Sequence, residues 1–367
     1  MASKTNDSPL QFTFATYLIS LLTQKDLKHH QELGQEAVYW IDKLAKQNYP
    51  EALYTKGNWY LNPPTFTNYK YSLQKALKYL QHAAKVGVTE AYYQLAEVYR
   101  KEDDTKMMLN YELAASKNHT LALYKLANIL LRGLYNQQKD IPMGIYYLKK
   151  AADTQEGAMA AYELGCIYAD QLELIGLDSD PQLKKLFHDI SDERNTMAMQ
   201  YIKKAHELGF VPAGYLLGVA YANGDLGVQD RDMWKAYQYY ASAAEKGHEE
   251  AMLVLSALFL KGIPGHLRCH PLIAFKLCYR AAQKKNSSRV SEYTLGTYYE
   301  LGIGTPPNAG LAFDWYHKSA SKGYEPAEKK VNMLNKTKTN FISKSYIEQS
   351  MRLVDEYHQK SIEQIWN

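Results

Sequence analysis

One pattern limits what this chain can fold into more than any other. A small residue is followed four, five and eight positions later by Leu, a second small residue, and an aromatic or apolar residue. Copies begin at Ala91 (Leu95, Ala96, Tyr99), Ala122 (Leu126, Ala127, Leu130) and Ala160 (Leu164, Gly165, Tyr168). Others begin at Ala213 (Leu217, Gly218, Tyr221), Ala251 (Leu255, Ser256, Phe259) and Ser291 (Leu295, Gly296, Tyr299). A seventh copy, at Ala52, carries Lys56 in place of the Leu, then Gly57 and Tyr60. Offsets of four and eight place residues on one helical face, and the small residues admit close backbone approach. Gly218, Gly296, Ala91 and Ala122 are therefore expected where first helices pack closely on one another.

Each copy leads into a second amphipathic segment that ends in small residues: ALKYLQHAA to Ala84, GIYYLKKAA to Ala152, KAYQYYASAA to Ala244 and AFDWYHKSA to Ala320. Gly87, Gly209, Gly247 and Gly323 follow and read as helix stops. The copies start at intervals of 39, 31, 38, 53, 38 and 40 residues. A helix pair of this length cannot bury its apolar face alone, and stacking on its neighbours does so. The expected fold is all-α: an α/α solenoid of about seven helix–turn–helix repeats over residues 52–335. Capping helices are expected over 1–51 and 336–367.

Two copies are irregular. The second has the charged turn Lys101-Glu102-Asp103-Asp104 instead of a Gly-containing loop. The fourth carries an insert over about residues 170–194, read as an added helix or a loop. From Ser345 to Trp366, the residues Ile347, Met351, Val354, His358, Ser361 and Ile365 fall at helical spacing. A cap over the last repeat is the expected role there, and a partner-binding or membrane-surface helix is the alternative.

Composition and motifs give little sign of chemistry. The formal net charge is +4 and no Lys/Arg block is long enough for a nucleic-acid footprint, so no nucleic-acid partner is expected. Cys166, Cys269 and Cys278 are odd in number and far apart, which argues against a disulfide framework and for a reducing compartment. The apolar run FTFATYLISLL from Phe12 is shorter than a membrane span and reads as the first helix rather than a signal peptide. His266, Cys269 and His270 lie close together but lack a fourth ligand at suitable spacing. His29-His30 reads as a solvated helix start. GIGTPPNAG, from Gly302, has no preceding strand and no Lys-Ser/Thr, so it reads as an inter-helix loop rather than a phosphate loop. No Ser-His-Asp, Cys-His or paired-carboxylate constellation is evident. No catalytic residue, metal or cofactor is expected.

The repeat resembles the Sel-like repeat, a relative of the tetratricopeptide repeat, over roughly Ala52 to Lys330. AGYLLGVAYANGDLGVQDRDMWKAYQYYASAAEKGHEEA, from Ala213, is among the clearest copies. The resemblance implies that first helices line a concave surface. The second position after each starting residue would point into it: Tyr54, Tyr93, Tyr124, Tyr162, Tyr215, Leu253 and Tyr293. One turn further on come Asn58, Glu97, Asn128, Cys166, Val219, Ala257 and Thr297. A Tyr ladder with Asn58, Glu97 and Asn128 beside it suits an extended peptide or a helix. The ladder has a second reading, as packing between neighbouring first helices, and the sequence leaves both open.

The order and spacing of the copies narrow the resemblance. The stretch TLALYKLANILLRGLYNQQKDIPMGIYYLKKAADTQEGAMAAYELGCIYAD, from Thr120, and the pair after it are similar to fungal chitin synthase activators. That implies a non-catalytic, protein-binding adaptor or regulator, with a chitin synthase as client in cell-wall and septum formation. It also implies a cytoplasmic location, with recruitment to the plasma membrane or division site through a partner. Many members end in a prenylation motif, whereas this sequence ends Glu363-Gln364-Ile365-Trp366-Asn367, so no lipid anchor is expected. Two alternatives remain: a general Sel-like adaptor in ubiquitin-ligase-linked quality control, and a hydrolase-type Sel-like enzyme. The second usually has Cys pairs in each repeat, unlike the scattered three here.

Overall fold

A computed structural model describes residues 7–22, 30–177, 180–183, 185 and 191–337. The segment 345–366 and His29 lie outside them. The described residues are helical, without a strand: α1 (Ser8–Leu22), α2 (His30–Lys46), α3 (Pro50–Leu61), α4 (Leu73–Lys85), α5 (Thr89–Tyr99), α6 (Asp104–Ser116), α7 (Thr120–Arg132), α8 (Ile141–Ala152) and α9 (Ala158–Tyr168). After a 3-10 turn (Leu172–Ile175) come α10 (Ser191–Glu207), α11 (Val211–Asn223), α12 (Met233–Glu245), α13 (Glu249–Lys261), α14 (Pro271–Ala282), α15 (Arg289–Leu301), α16 (Ala309–Ala320) and α17 (Glu325–Thr337). The chain forms two units, Met1–Ala160 and Ala161–Asn367, with the division inside α9.

Local chemistry sets the helix ends. Second helices start at side-chain caps: Asp103 accepts from Lys106 N at 2.9 Å, Asp140 from Met143 N at 3.0 Å, Asp232 from Lys235 N at 2.9 Å and Asn308 from Leu311 N at 3.0 Å. The charged turn of the second copy thus does the same work as the Gly-containing loops, because Asp103 supplies the cap. At the far end, the chain turns through the left-handed region. Gly247 has φ +90°, and Asn118 holds the equivalent place at φ 58°.

Within each pair the small residue of the first helix faces the second helix. A Cβ on Gly218 would lie 2.5 Å from the Tyr240 ring, one on Gly296 2.8 Å from Tyr316, and one on Gly57 2.8 Å from Leu80. Gly165 is placed the same way against Ile202. This differs from the expected contact between first helices. The fifth position turns toward the partner inside the same repeat, and a larger side chain there would drive that partner away. Ala91 and Ala122 are fully buried.

Paired alanines close the interior at the end of the second helices: Ala83 and Ala84, Ala114 and Ala115, Ala151 and Ala152, Ala243 and Ala244 are all buried. In the first unit one core joins Leu44, Leu53, Leu80 and Leu95, and another joins Ala15, Trp40, Ile41 and Trp59. In the second unit Tyr240, Leu255 and Leu258 form one core, and Leu295, Tyr298 and Cys278 another. Each fully buried Leu is worth about 1.5–3 kcal/mol over an exposed one. In the fourth copy, Leu172, Leu177 and Leu183 of the insert are buried. Its last expected residues, from Ser191, already belong to α10.

Candidate protein-binding surface

The first helices place the Tyr ladder at the junction between successive repeats. Tyr93 of α5 stacks on His119 at 4.8 Å between ring centroids, and Tyr215 of α11 stacks on His248 at 4.7 Å. Tyr162 meets Phe210 at 4.9 Å, and Tyr293 meets Tyr324 at 5.3 Å. His119, Phe210, His248 and Tyr324 each stand just after a helix-stopping Asn or Gly and just before the next first helix. The histidines also cap that helix: His119 Nδ1 accepts from Ala122 N at 3.2 Å, and His248 Nδ1 from Ala251 N at 3.4 Å. The glycine stops are visible in the sequence. The aromatic or imidazole ring directly after them is the signal that a reading of the ladder alone passes over.

The ladder is thus partly spent on packing. Tyr162 is 9% exposed, whereas Tyr54, Tyr93, Tyr124, Tyr215 and Tyr293 are half-buried and keep one edge open. Tyr93 also rests on Tyr111 at 6.0 Å, Tyr215 on Tyr240 at 5.8 Å and Tyr293 on Tyr316 at 5.2 Å. Burial, with the nearby Glu97 carboxylate, pushes the Tyr93 hydroxyl up to about 12. Tyr54 packs on the α2–α5 core.

Beside the ladder, the polar positions of the first unit are linked into a network. Glu97 accepts from the Tyr111 hydroxyl at 2.7 Å, with Arg100 at 3.5 Å and the Lys125 ammonium at 3.6 Å. Burial alone would raise the Glu97 carboxyl. The Tyr111 hydrogen bond and the Lys125 and Arg100 charges outweigh it and hold the group below the usual carboxylate range. Asn128 donates to the Tyr124 carbonyl at 3.0 Å and accepts from Arg132. Asn58 Oδ1 is buried without a hydrogen-bond partner. In the second unit Cys166, Val219 and Ala257 hold the matching positions and offer no such chemistry, while Thr297 Oγ1 lies 3.1 Å from the Tyr316 hydroxyl. The structure therefore brings Tyr93, Glu97, Arg100 and Lys125 together, with Asn128 and Arg132 on the next first helix. Ladder residues of both units sit in packing contacts, Tyr93 on His119 as Tyr215 on His248.

The remaining sequence candidates have local roles. Cys269 donates to the Lys261 carbonyl at 3.2 Å, His270 Nδ1 caps α14 by accepting from Ile273 N at 3.4 Å, and His266 stacks on Trp234 at 5.0 Å. No three His, Cys, Asp or Glu side chains among the described residues are grouped to hold a metal ion. Burial pushes the Cys166 thiol up to about 12 and raises Cys278 as well, which leaves both as poor nucleophiles. No described helix is long and apolar enough to cross a membrane.

Comparison with known proteins bears on this repeated geometry. The Sel1 repeat family matches residues 67–88, 120–153, 158–183, 211–248 and 290–324. The chain carries Sel1 repeats. A solved Sel1 repeat protein from Oxalobacter formigenes superposes with a TM-score of 0.60 at 22% identity, over 91% of this chain and 88% of that one. At that identity the likeness speaks for the Sel1 fold alone. Among curated proteins, chitin synthase regulatory factor 3 of Schizosaccharomyces pombe is 28% identical over 289 residues, covering 77% of this chain and 29% of its own length. Chitin synthase regulator SKT5 of Saccharomyces cerevisiae is 30% identical over 309 residues, covering 82% of this chain and 41% of its own length. The chain thus spans less than half the length of these relatives.

Proposed function

We propose that this chain is a non-catalytic regulator of a chitin synthase and grips a segment of that enzyme along the first-helix face of its first unit. The observation that carries the reading is the pairing of two facts. Two relatives that align over most of the chain are named chitin synthase regulators, beside one named activator of C kinase protein 1 that is 27% identical over 84% of the chain. The ladder has polar neighbours on α5 and α7, Glu97, Asn128, Lys125 and Arg132, where the next two first helices have Cys166 and Val219 at the positions of Glu97 and Asn128. Half-buried tyrosines offer large contact area at low side-chain entropy cost, and the charged and amide groups fix register along an extended ligand. Tyr54, Asn58, Tyr93, Glu97, Tyr124 and Asn128 form the central surface in this reading. Tyr162, Tyr215 and Tyr293 order the repeats that follow. Contact with a membrane comes through the client.

The test is capture of a detergent-solubilised chitin synthase by the immobilised full chain. Replacing Tyr93 and Tyr124 with Ala removes two central anchors and weakens capture at least tenfold, about 1.4 kcal/mol or more. Because Tyr93 also packs on His119, Lys125→Glu serves as a second variant that changes the surface without opening the junction. Variants that melt like the wild type and capture the enzyme equally well contradict the proposal.

A further inference from the structure

The first copy of the repeat breaks its own rule at Lys56, and the structure shows a built site around that departure. The other copies place Leu at this offset. Here the Lys56 ammonium lies 2.6 Å from Asp42 Oδ1, and the Tyr69 hydroxyl donates to the same oxygen at 2.5 Å. The ammonium also stands 5.0 Å from the centre of the Tyr79 ring and 5.9 Å from that of Tyr69. Lys56 is only 7% exposed. Burial would pull its ammonium down, and the Asp42 carboxylate more than offsets this and holds it above its ordinary value. An ion pair this buried is no more stabilising than a well-packed Leu of similar volume. Stability of the repeat therefore gives no reason for the exchange.

The network forms one wall of a pocket of about 560 Å3 between α2, α3 and the segment 66–75. Lys70 and Lys75 stand on its rim, both exposed, and the Lys75 ammonium is 5.3 Å from the centre of the Tyr60 ring. Asp42 is the single carboxylate in the lining and already accepts from Lys56 and Tyr69, so the pocket keeps an excess of positive charge. Tyr60, Phe66 and Tyr69 give it aromatic walls.

We propose that this pocket receives an acidic side chain, a carboxylate or a phosphate, carried on a peptide segment of a partner protein. The lysines meet the anionic oxygens, and the aromatic walls take the flanking residues, a contact that a free inorganic anion does not use. The site is independent of which client the ladder serves.

Fluorescence anisotropy of the full chain with labelled Ala-Leu-phosphoserine-Leu-Ala, and with its Glu and Ser counterparts, tests the assignment. The phosphoserine and Glu peptides bind at least tenfold more tightly than the Ser peptide at equal ionic strength. Lys70→Gln with Lys75→Gln lowers that affinity at least tenfold. Lys78→Gln with Lys85→Gln, which removes the same charge from exposed sites of α4 outside the pocket, leaves it unchanged. Equal loss in both pairs, or equal binding of the Ser peptide, overturns the proposal. Displacement by inorganic phosphate at a concentration matching the peptide's own Kd overturns the peptide as ligand.

Discussion

Gly218 shows how one missing side chain sets the geometry of a repeat. Tyr240 fills the space that a Cβ at Gly218 would enter, and its own ring is fully buried. Gly218→Ala is therefore expected to cost about 1–3 kcal/mol through overpacking, and Gly218→Leu more. Hydrogen exchange reads the result: protection falls first in α11 and α12 and next in α13, since neighbours are coupled most strongly. Uniform loss over the whole chain, or none, contradicts this coupling. The sequence shows that position 218 must be small. It does not show what Gly218 faces, because the fifth position of a first helix is near both a neighbouring first helix and its own second helix. The ladder was ambiguous for a related reason. A Tyr at Tyr93 or Tyr215 has one face for His119 or His248 and one edge for solvent, so periodicity alone cannot separate packing from binding.

At the scale of elements, two junctions depend on a neutral imidazole. His119 and His248 accept a backbone N–H as caps of α7 and α13 while stacking on the tyrosine of the preceding first helix. Burial holds both below the ordinary His value, against the opposing pull of Glu90 and Glu156 on His119 and of Glu250 and Glu249 on His248; Lys284 adds to the lowering at His248. A base whose folded pKa is depressed binds its proton more readily unfolded. Its contribution to stability is complete above the unfolded value of about 6.5 and is lost as pH falls through the lower folded value. Thermal melting from pH 7.5 downward should therefore show a loss that His119→Asn with His248→Asn reduces, since Asn keeps a cap acceptor and does not titrate there, while His206, also held low by burial, keeps its share. Identical pH profiles for the two proteins contradict that role. Helix existence and pairing were legible because offsets of four and eight recur with Gly or Asn stops. The insert was less so: Leu172, Leu177 and Leu183 have no helical period, yet each is buried.

At the scale of the whole molecule, repetition is the source of stability and of the surface proposed to bind. Each unit is built from helix pairs that bury Ala-rich seams against the next pair, so the exposed edges of first helices form a repeated surface. The resemblance to chitin synthase regulators was legible from the order of repeat variants, and the comparisons agree with it at 28–30% identity. The polar residues beside the ladder, Asn58, Glu97 and Asn128, were legible, whereas their partners were not, because contacts such as Lys125 to Glu97 and Lys330 to Glu300 join residues distant in sequence. Hydrogen exchange of the full chain, alone and with a solubilised chitin synthase, tests the central claim most directly. The account predicts new protection on α3, α5 and α7, with little change on the second helices α4, α6 and α8. Protection confined to those second helices, or to the second unit, would contradict it.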